Sequence, residues 1–461
     1  MKKRILSLIL CFVFVIGAFF AFSSSGFAKN DFKPVFRFVA ASDTHVRDDS
    51  NVNAERIGKM MNIAYREAAK DASHKNVDAL MICGDLTNDG TKTEFDKFWN
   101  AVSGSLKGNT QFLGVVAKNH DGYEMSRKDM RGYYTSLTGN EPDFHTVIGG
   151  YHFIGISASS NDAFHYDLGQ IRQLKKWLDE ATAEDPDKPV FVMHHEHIRD
   201  TVYGSSYYDG WGRSFFTSVL SQYPQVVDFS GHSHYPLNHP RSIWQGTFTA
   251  IGTGAIYYSE FTVDIVRSYH PEDSGDTATF WIVELDKDSN MRLRGFDAEA
   301  GKCLCEEILK NPASPANRDY TNAKRKAASS APVFDSGAKL SVDPEYGSCT
   351  IVSPVAKSTD GMPVVLYRAY AYDSMGIKVA DTWTLPSYYR AVQQDEVVFK
   401  LEGLAKGDYT VEVVAETAYG VQSEPLSEKI TVDGSDRISA FFGRIKLFFE
   451  NVKYYLDQLI F

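Results

Sequence analysis

The chain has 461 residues, of which 43% are hydrophobic and 23% charged, and its formal net charge at pH 7 is −11. This is the composition of a folded globular protein and excludes a disordered chain or a protein with many membrane spans; the length predicts two or three domains. The negative charge argues against a protein that binds nucleic acid through its phosphate backbone.

The segment 1–28 is typical of a secretory signal peptide. Lys2, Lys3 and Arg4 precede an apolar run over residues 5–22, and small residues follow up to the predicted cleavage site. The run is also close to the length that spans a bilayer, so an uncleaved anchor is the alternative. Both interpretations predict a secreted or extracellular protein. Removal of the segment takes away three positive and no negative side chains and moves the net charge from −11 to −14.

Residues 31–310 are predicted to form one α/β domain. Short apolar runs alternate there with amphipathic stretches, which is the pattern of strands whose faces are covered by helices. Helices are expected at residues 54–69 and 168–181, because the apolar side chains of each stretch fall on a single helical stripe.

Five apolar runs of this domain each end at side chains that can bind a metal ion. The runs cover residues 35–42, 79–83, 112–117, 190–193 and 226–230, and the side chains that follow them are Asp43 and His45, then Asp85, then Asn119, His120 and Asp121, then His194 and His195, and last His232 and His234. Each residue alone is commonly a turn former or a hydrogen-bonded polar group. Because the carboxyl ends of strands in an α/β sheet meet at one edge, five such endings predict a shared site.

The residue types of this predicted site suit a transition metal. Alternate residues of an extended segment point to the same side, so Asp43 pairs with His45 and His232 pairs with His234. Mixed carboxylate, amide and imidazole ligands favour Zn²⁺, Fe or Mn²⁺ over Ca²⁺. The lack of cysteine among the candidates argues against a structural zinc site.

The order of the five blocks resembles the signature of the calcineurin-like metallophosphoesterases. The matching blocks are Asp-x-His at 43–45, Gly-Asp at 84–85, Asn-His-Asp at 119–121, a single His, and Gly-His-x-His at 231–234. The resemblance covers residues 35–255 and implies that family's four-layer α/β/β/α fold, with two mixed sheets between helices. It also implies an enzyme that hydrolyses phosphate mono- or diesters with a hydroxide that bridges two metal ions of Mn, Fe or Zn.

The resemblance further assigns the metal ligands. The implied ligands are Asp43, His45 and His234 for one ion, Asn119, His194 and His232 for the other, and Asp85 as a bridge between the two.

Four neighbouring residues carry the remaining predictions for the site. His120 would protonate the leaving group or bond to a phosphate oxygen, and Asp121 would hold its ring in the required tautomer; a helix cap is the alternative for Asp121. His195 is the alternative to His194 as a ligand. Lys118 stands where the family has glycine, so it either strains the backbone or contacts substrate phosphate.

The second half of the chain differs in composition and periodicity. Residues 311–332 are rich in Pro, Ala, Ser, Asn and Lys and are predicted to be a linker. Residues 333–433 show a period of two between turn residues, which predicts an antiparallel β-sandwich. The stretch 401–415 resembles the end of a fibronectin type III domain, in which a tyrosine, here Tyr409, packs at a strand corner.

The final segment, residues 436–461, is predicted to be an amphipathic helix, because its apolar side chains recur at three-four spacing. Such a helix docks on its own protein, on a membrane surface or on a partner helix.

Two other functions compete with a soluble phosphoesterase. One is a non-catalytic cell-surface binding protein built on the same scaffold, and the other, suggested by the terminal helix, is a phosphodiesterase of lipid headgroups. Aromatic side chains that could line a substrate pocket, although each is equally an ordinary surface or core residue, are Tyr123, Tyr203, Tyr207, Tyr208 and Trp211.

Overall fold

The structure is a computed structural model, and it describes residues 32–159, 166–206, 214–264 and 266–434. The predicted signal segment and terminal helix lie outside these ranges, as do Tyr207, Tyr208 and Trp211. Within the ranges, none of the helices combines the length and the hydropathy that a membrane span needs.

The first domain contains fourteen strands within the described ranges. They are β1 (Pro34–Ala41), β2 (Ala79–Cys83), β3 (Gln111–Val115), β4 (Phe144–Ile148), β5 (Tyr151–Gly155), β6 (Val190–Met193), β7 (Val226–Ser230), β8 (Ile243–Gln245), β9 (Thr249–Gly252), β10 (Phe261–Val263), β11 (Val266–Tyr269), β12 (Thr279–Asp286), β13 (Met291–Asp297) and β14 (Lys302–Leu309). The helices of the same part are α1 (Val52–Ala69), α2 (Lys92–Ser105), α3 (Arg127–Thr138), α4 (Leu168–Glu184) and α5 (Ser214–Leu220).

These strands form two mixed six-stranded sheets and a short ribbon of β10 and β11. The first sheet has the order β14-β13-β12-β1-β2-β3, and the second has the order β4-β5-β6-β7-β9-β8. Strands β1, β2 and β3 are parallel, as are β5, β6, β7 and β9. The predicted mixed α/β class is therefore confirmed, and the parallel strands direct several carboxyl ends to the same edge.

The two sheets share a core of aromatic side chains. Phe38 of the first sheet lies with its ring centroid 4.9 Å from that of Phe191 and 5.4 Å from that of Phe153, which both belong to the second sheet. A second apolar cluster joins the first sheet to α1, α2 and α3, and a third joins the second sheet to α4 and α5. Both sheets are thereby held rigidly behind the edge at which their strands end.

The predicted helices are found with small shifts at their ends. The first begins two residues earlier than predicted, at Val52. The second begins at Leu168 as predicted, because Asp167 accepts from the backbone N–H of Gln170 and the Gln170 side chain accepts from that of Asp167. It runs to Glu184, three residues beyond the predicted end.

The segment predicted as a linker packs on the first domain. It contains helix α6 (Asn322–Ala328). Arg318 donates hydrogen bonds to the carbonyls of Pro224 and Thr247 at 3.1 and 2.7 Å, and Tyr320 is buried. Composition alone does not reveal this packing, because one aromatic and one guanidinium group account for most of it.

Seven strands form the C-terminal part of the described chain. They are β15 (Ser341–Glu345), β16 (Ser348–Pro354), β17 (Val364–Asp373), β18 (Lys378–Thr384), β19 (Glu396–Glu402), β20 (Gly407–Thr417) and β21 (Leu426–Val432). They pair as a sheet of order β15-β16-β19 and a sheet of order β18-β17-β20-β21, with one apolar core. The Tyr409 hydroxyl donates to the carbonyl of Ala405 at 2.8 Å. The fibronectin type III assignment stays a prediction.

Candidate metal centre

The five sequence blocks meet where strands of both sheets end. The loops after β1, β2 and β3 come from the first sheet, and the loops after β6 and β7 come from the second. Backbone hydrogen bonds tie them together: His45 N–H donates to Asp85 O at 3.0 Å, and Gly231 N–H donates to His195 O at 2.8 Å. At the sheet edge that was predicted from the strand endings, the loops are thus hydrogen-bonded to one another.

The backbone of these loops is strained at the candidate ligands. Eight non-glycine residues among those described have positive φ, and five of them belong to the blocks: Asp43, His45, Asp85, His232 and His234, with φ between 40° and 70°. Left-handed backbone costs a non-glycine residue about 1–3 kcal/mol and persists where the surrounding structure imposes it, which is common at functional sites. The strain therefore marks these five side chains as held in place for a purpose other than stability.

One group of side chains consists of Asp43, His45 and His234, all buried. The Nε2 atoms of His45 and His234 are 3.2 Å apart, and His234 Nε2 lies 3.3 Å from Asp43 Oδ1. Asp85 Oδ2 approaches His45 Nε2 to 3.7 Å from the neighbouring group. Two imidazole nitrogens and one carboxylate oxygen of this group thus lie close together. They belong to the three residues that the family resemblance implies as ligands of the first ion.

A second group consists of Asp85, His195 and His232, whose ligand atoms all lie within 4.8 Å of one another. Asp85 Oδ2 is 3.1 Å from His195 Nε2 and 3.0 Å from Asn119 Nδ2. Asn119 Nδ2 is also 3.3 Å from His232 Nδ1. Asp85 therefore lies between the two groups.

The prediction of His194 as a ligand is corrected by the structure. The His194 ring turns away from the cluster, with Nε2 2.8 Å from Asp228 Oδ1 and its face stacked on Phe216. His195 occupies the place instead, and its Nδ1 donates to the carbonyl of Cys83 at 2.9 Å. A ring fixed through Nδ1 presents Nε2 to the site, which is the usual arrangement of a metal-binding histidine.

The carboxylate of Asp43 is oriented by groups that the sequence analysis did not identify. The Ser42 hydroxyl and the backbone N–H of His232 both donate to it, the latter at 2.9 Å. Ser42 Oγ in turn lies 2.6 Å from Thr253 Oγ1. The position of Ser42 next to Asp43 is the only sequence signal for this role; Thr253 is more than 200 residues away and gives none.

The residues present fit metal ions. Asp85 Oδ1 and Asn119 Oδ1 are buried and have no hydrogen-bond partner in the protein. A buried acceptor left without a partner costs about 1–3 kcal/mol. A cation bound here would accept a lone pair from each of these two oxygens. The donor set of carboxylate, amide and imidazole with no thiol suits Mn, Fe or Zn.

The electrostatics of the cluster favour bound cations. Burial on its own would raise the pKa of Asp85, but His195, His120 and His45 together outweigh burial and lower it. Likewise, His234, His45 and His195 together outweigh burial and hold the pKa of Asp43 well below its usual range. Burial lowers the pKa of His45 to about 4. Two carboxylates are thus anionic at neutral pH, and His45 is a neutral donor.

His120 lies beside the first group and is half-buried. Its ring centroid is 4.3 Å from that of His45, and its Nδ1 donates to the carbonyl of Asn88 at 2.7 Å. This bond leaves Nε2 as the atom that can exchange a proton with a substrate.

The predicted role of Asp121 is corrected. Its carboxylate does not touch His120; it accepts from the backbone N–H and hydroxyl of Thr87 and from the N–H of Ala117, each at 2.9 Å. Burial, and then the charge of Asp85, raise the pKa of Asp121 to about 7. Asp121 therefore organises the loops after β2 and β3, and neither the predicted tautomer role nor the alternative of a helix cap describes it.

The remaining candidates from the sequence that the structure describes are Lys118, Tyr123 and Tyr203. Lys118 is half-buried and, among the described residues, is not one with positive φ, so the predicted strain is not found. Tyr123 is exposed beside His120. Tyr203 instead stacks on His239 at 3.7 Å between ring centroids. Contact of Lys118 with substrate stays a prediction.

One family model matches the part of the chain that contains this site. Residues 36–236 match the family model described as calcineurin-like phosphoesterase. A search of curated proteins finds no match. A solved purple acid phosphatase from yellow lupin seeds is 12% identical over 60% of this chain and 54% of its own, with a TM-score of 0.42. A candidate 5'-nucleotidase from Staphylococcus aureus is 11% identical over 73% of this chain and 74% of its own, with a TM-score of 0.31.

The chain spans about half the length of the lupin phosphatase that it matches, and at these TM-scores neither likeness bears on the substrate. The family match covers every residue of the two groups. Residues 36–236 are therefore similar to the calcineurin-like phosphoesterases, the family whose model they match.

Proposed function

We propose that this domain hydrolyses phosphate mono- or diesters with two metal ions of Mn, Fe or Zn. The observation that carries the proposal is the meeting of seven side chains from five loops in one buried cluster; they are Asp43, His45, Asp85, Asn119, His195, His232 and His234. The four-layer arrangement of the domain belongs to the same proposal, as do its limits at residues 31–310.

The two groups of side chains would each hold one ion. Asp43, His45 and His234 would bind the first, and Asn119, His195 and His232 the second, with Asp85 shared. The support for sharing is the position of Asp85 Oδ2, 3.7 Å from His45 Nε2 and 3.1 Å from His195 Nε2.

When bound, such ions would supply charge neutralisation at phosphate oxygens and a water acidic enough to react near neutral pH. His120 would protonate the leaving oxygen through Nε2, since the Asn88 carbonyl engages Nδ1. Ser42 and the N–H of His232 would keep the Asp43 carboxylate in one orientation throughout.

A hydrolysis assay tests the proposal. The purified chain is stripped of metal, reloaded with Mn²⁺, Zn²⁺ or Fe, and offered p-nitrophenyl phosphate and bis(p-nitrophenyl) phosphate. We expect metal-dependent release of nitrophenol and two equivalents of bound metal, and Asp85→Ala should abolish both. Two ions bound with no hydrolysis would favour the competing interpretation, a non-catalytic cell-surface protein on this scaffold; an Asp85→Ala variant that keeps both ions would refute the shared ligand.

Export and a membrane-surface location are proposals as well. The C-terminal strands are proposed to form a fibronectin type III-like domain over residues 333–433.

At the end of this sandwich where β21 stops, the side chains of Tyr346, Met375 and Ile377 are 54–76% exposed, and the turn that holds Tyr346 is hydrogen-bonded to Asp433. The last described strand therefore ends beside three exposed apolar side chains, and the segment 436–461, predicted to be amphipathic, follows it in the sequence. This favours lipid-headgroup phosphodiesters as the second candidate substrate.

Vesicle co-sedimentation tests that second candidate. The full chain is compared with a Tyr346→Ser, Met375→Ser, Ile377→Ser variant, and with Val392→Ser, which removes an equally exposed side chain near the junction with the first domain. We expect weaker sedimentation with zwitterionic vesicles for the triple variant only. Equal binding of all three proteins would remove the motive for a lipid substrate.

A further inference from the structure

One side of the candidate metal centre is bordered by aromatic side chains that the proposed reaction does not use. The Tyr258 ring centroid lies 4.2 Å from that of His234, and the Tyr257 centroid lies 5.1 Å from that of His45. His270 follows, 5.1 Å from Tyr258. Tyr257 and Tyr258 are half-buried and His270 is exposed. Tyr257 and Tyr258 therefore contact proposed ligands, and His270 contacts Tyr258 and the solvent; these three residues are here called the mouth wall.

The backbone of the mouth wall is bonded to the ligand loops. Tyr257 N–H donates to Asp43 O at 3.1 Å, and Glu260 N–H donates to His234 O at 3.1 Å. The buried guanidinium of Arg56 donates to the carbonyl of Tyr257 from the side of α1. A shift of the mouth wall would therefore alter the space directly next to the reacting phosphate.

A turn at residues 273–277 lies behind the mouth wall and supports it. Ser259 N–H donates to Ser274 O at 3.0 Å, and the hydroxyls of Ser259 and Thr277 are 2.8 Å apart. Arg56 also donates to the carbonyl of Gly275 at 2.5 Å. The turn is thus bonded to Ser259, which follows Tyr258 in the chain, and to Arg56, which also bonds to the carbonyl of Tyr257.

The C-terminal sandwich holds this turn from outside. The Tyr389 hydroxyl donates to Asp273 Oδ1 at 2.5 Å, and Arg390 pairs with the other oxygen of the same carboxylate. Arg390 also reaches Asp276 at 3.4 Å. The Tyr389 ring packs on Phe261 of β10, with centroids 4.8 Å apart. The Asp273 carboxylate is therefore bonded to two adjacent residues of the sandwich, Tyr389 and Arg390.

We propose that the sandwich positions the mouth wall through Asp273, so that Arg390 and Tyr389 are positioning residues for substrate binding. The inference rests on the proposed function, because it concerns substrate at the same site. Arg390 and Asp273 are each about one-third exposed, and exposed ion pairs contribute little to the free energy of folding. Loss of the Arg390–Asp273 pair is therefore expected to displace the turn at residues 273–277 more than it lowers the free energy of unfolding.

The test compares Arg390→Met with Arg390→Lys and with a matched control. The control is Lys357→Met, which breaks an exposed ion pair with Asp335 within the C-terminal part of the chain. For bis(p-nitrophenyl) phosphate we expect Arg390→Met to raise KM by about three- to tenfold with little change in kcat, since binding groups are displaced while the ligands stay. Arg390→Lys should recover part of the loss, and the control should match the wild type.

Hydrogen exchange provides a readout that does not depend on catalysis. The amides of residues 256–260 should exchange faster in Arg390→Met and at the wild-type rate in Lys357→Met. Unchanged exchange and KM in Arg390→Met would overturn the proposal, as would faster exchange spread over the whole first domain. A wild-type protein without hydrolase activity would end the proposed function, but the exchange experiment would still decide whether the sandwich positions the mouth wall.

Discussion

The bonds on the far side of each ring decide which of two adjacent histidines faces the metal centre. His195 is anchored through Nδ1 to the Cys83 carbonyl and turns Nε2 to Asp85, whereas His194 is paired with buried Asp228. Alternation along an extended segment sends neighbours to opposite sides, so one of them had to face away. The sequence contains no signal for which one, because the anchors come from other strands.

Exchange of each histidine in turn is expected to separate a ligand from a structural residue. His195→Gln should lose one metal equivalent and more than about 100-fold in turnover, since even residues that only support a ligand cost 10–100-fold. His194→Gln should keep both ions but lose about 3 kcal/mol of stability, because Asp228 would stay buried without its partner. Metal analysis and thermal melts provide the measurements. The reverse pattern would restore His194 as the ligand.

His120 is expected to act on the proton of the leaving group without holding metal. His120→Ala should keep two ions and lower turnover by about 10²–10⁴-fold, the usual size of an acid-base contribution. The effect should shrink for bis(p-nitrophenyl) phosphate, whose leaving group needs little protonation, and be full for an alkyl ester. A variant with wild-type turnover on the alkyl ester would remove His120 from the mechanism.

At the scale of elements, the turns after the strands do more to form the site than the strands themselves. The turn after β2 contains Gly84, whose φ is +86°. A β-carbon there would lie 2.7 Å from Nδ1 of His195 and 2.9 Å from its Cβ. The glycine therefore allows a ligand from the second sheet to approach the first sheet, and the Gly-Asp block joins the two.

Gly84→Ala should displace His195 and so reduce both stability and metal binding. Backbone strain accounts for about 1–3 kcal/mol of the expected loss, and the clash with the ring adds to it. Gly108→Ala is the matched control, because Gly108 has φ +61° but no atom within 4 Å of an added β-carbon. We expect the control to lose stability in thermal melts while keeping two metal ions. Equal metal content in both variants would contradict the role assigned to Gly84.

How far the elements could be predicted depends on whether their signals are local. The strands and the polar residues that follow them were predictable because each block carries its own pattern, as Asp43 and His45 do after β1. The role of Asp121 was not, because Thr87 lies 34 residues earlier in the chain. The mouth wall was not either, since its support by Asp273 and Arg390 joins residues that are 117 positions apart.

At the scale of the whole molecule, a buried charge network joins three adjacent inner strands of the first sheet, β13, β12 and β1. Glu284 of β12 is fully buried and pairs with Arg37 of β1 at 2.7 Å and with Arg292 and Arg294 of β13 at 2.7 and 3.1 Å. Three guanidinium groups surround this one carboxylate, and its removal would leave them close together without the charge that they share, although Arg37 would keep Asp71 and Arg294 would keep Glu67. Breaking a buried pair in this way costs about 3–5 kcal/mol.

The same network predicts how stability depends on pH. Burial alone would raise the pKa of Glu284, but the three arginines outweigh burial and lower it below the ordinary value of 4.5. A carboxyl group whose pKa is lower in the folded chain contributes stability above its unfolded pKa and loses it as the pH falls through the folded pKa.

Unfolding in denaturant should therefore become easier below pH 4.5 in the wild type. Glu284→Gln should be less stable at pH 7 and should lose less on acidification than the wild type, because it lacks the group that titrates. Parallel stability curves for the two proteins from pH 7 to pH 3 would show that this network does not set the acid limit of the fold.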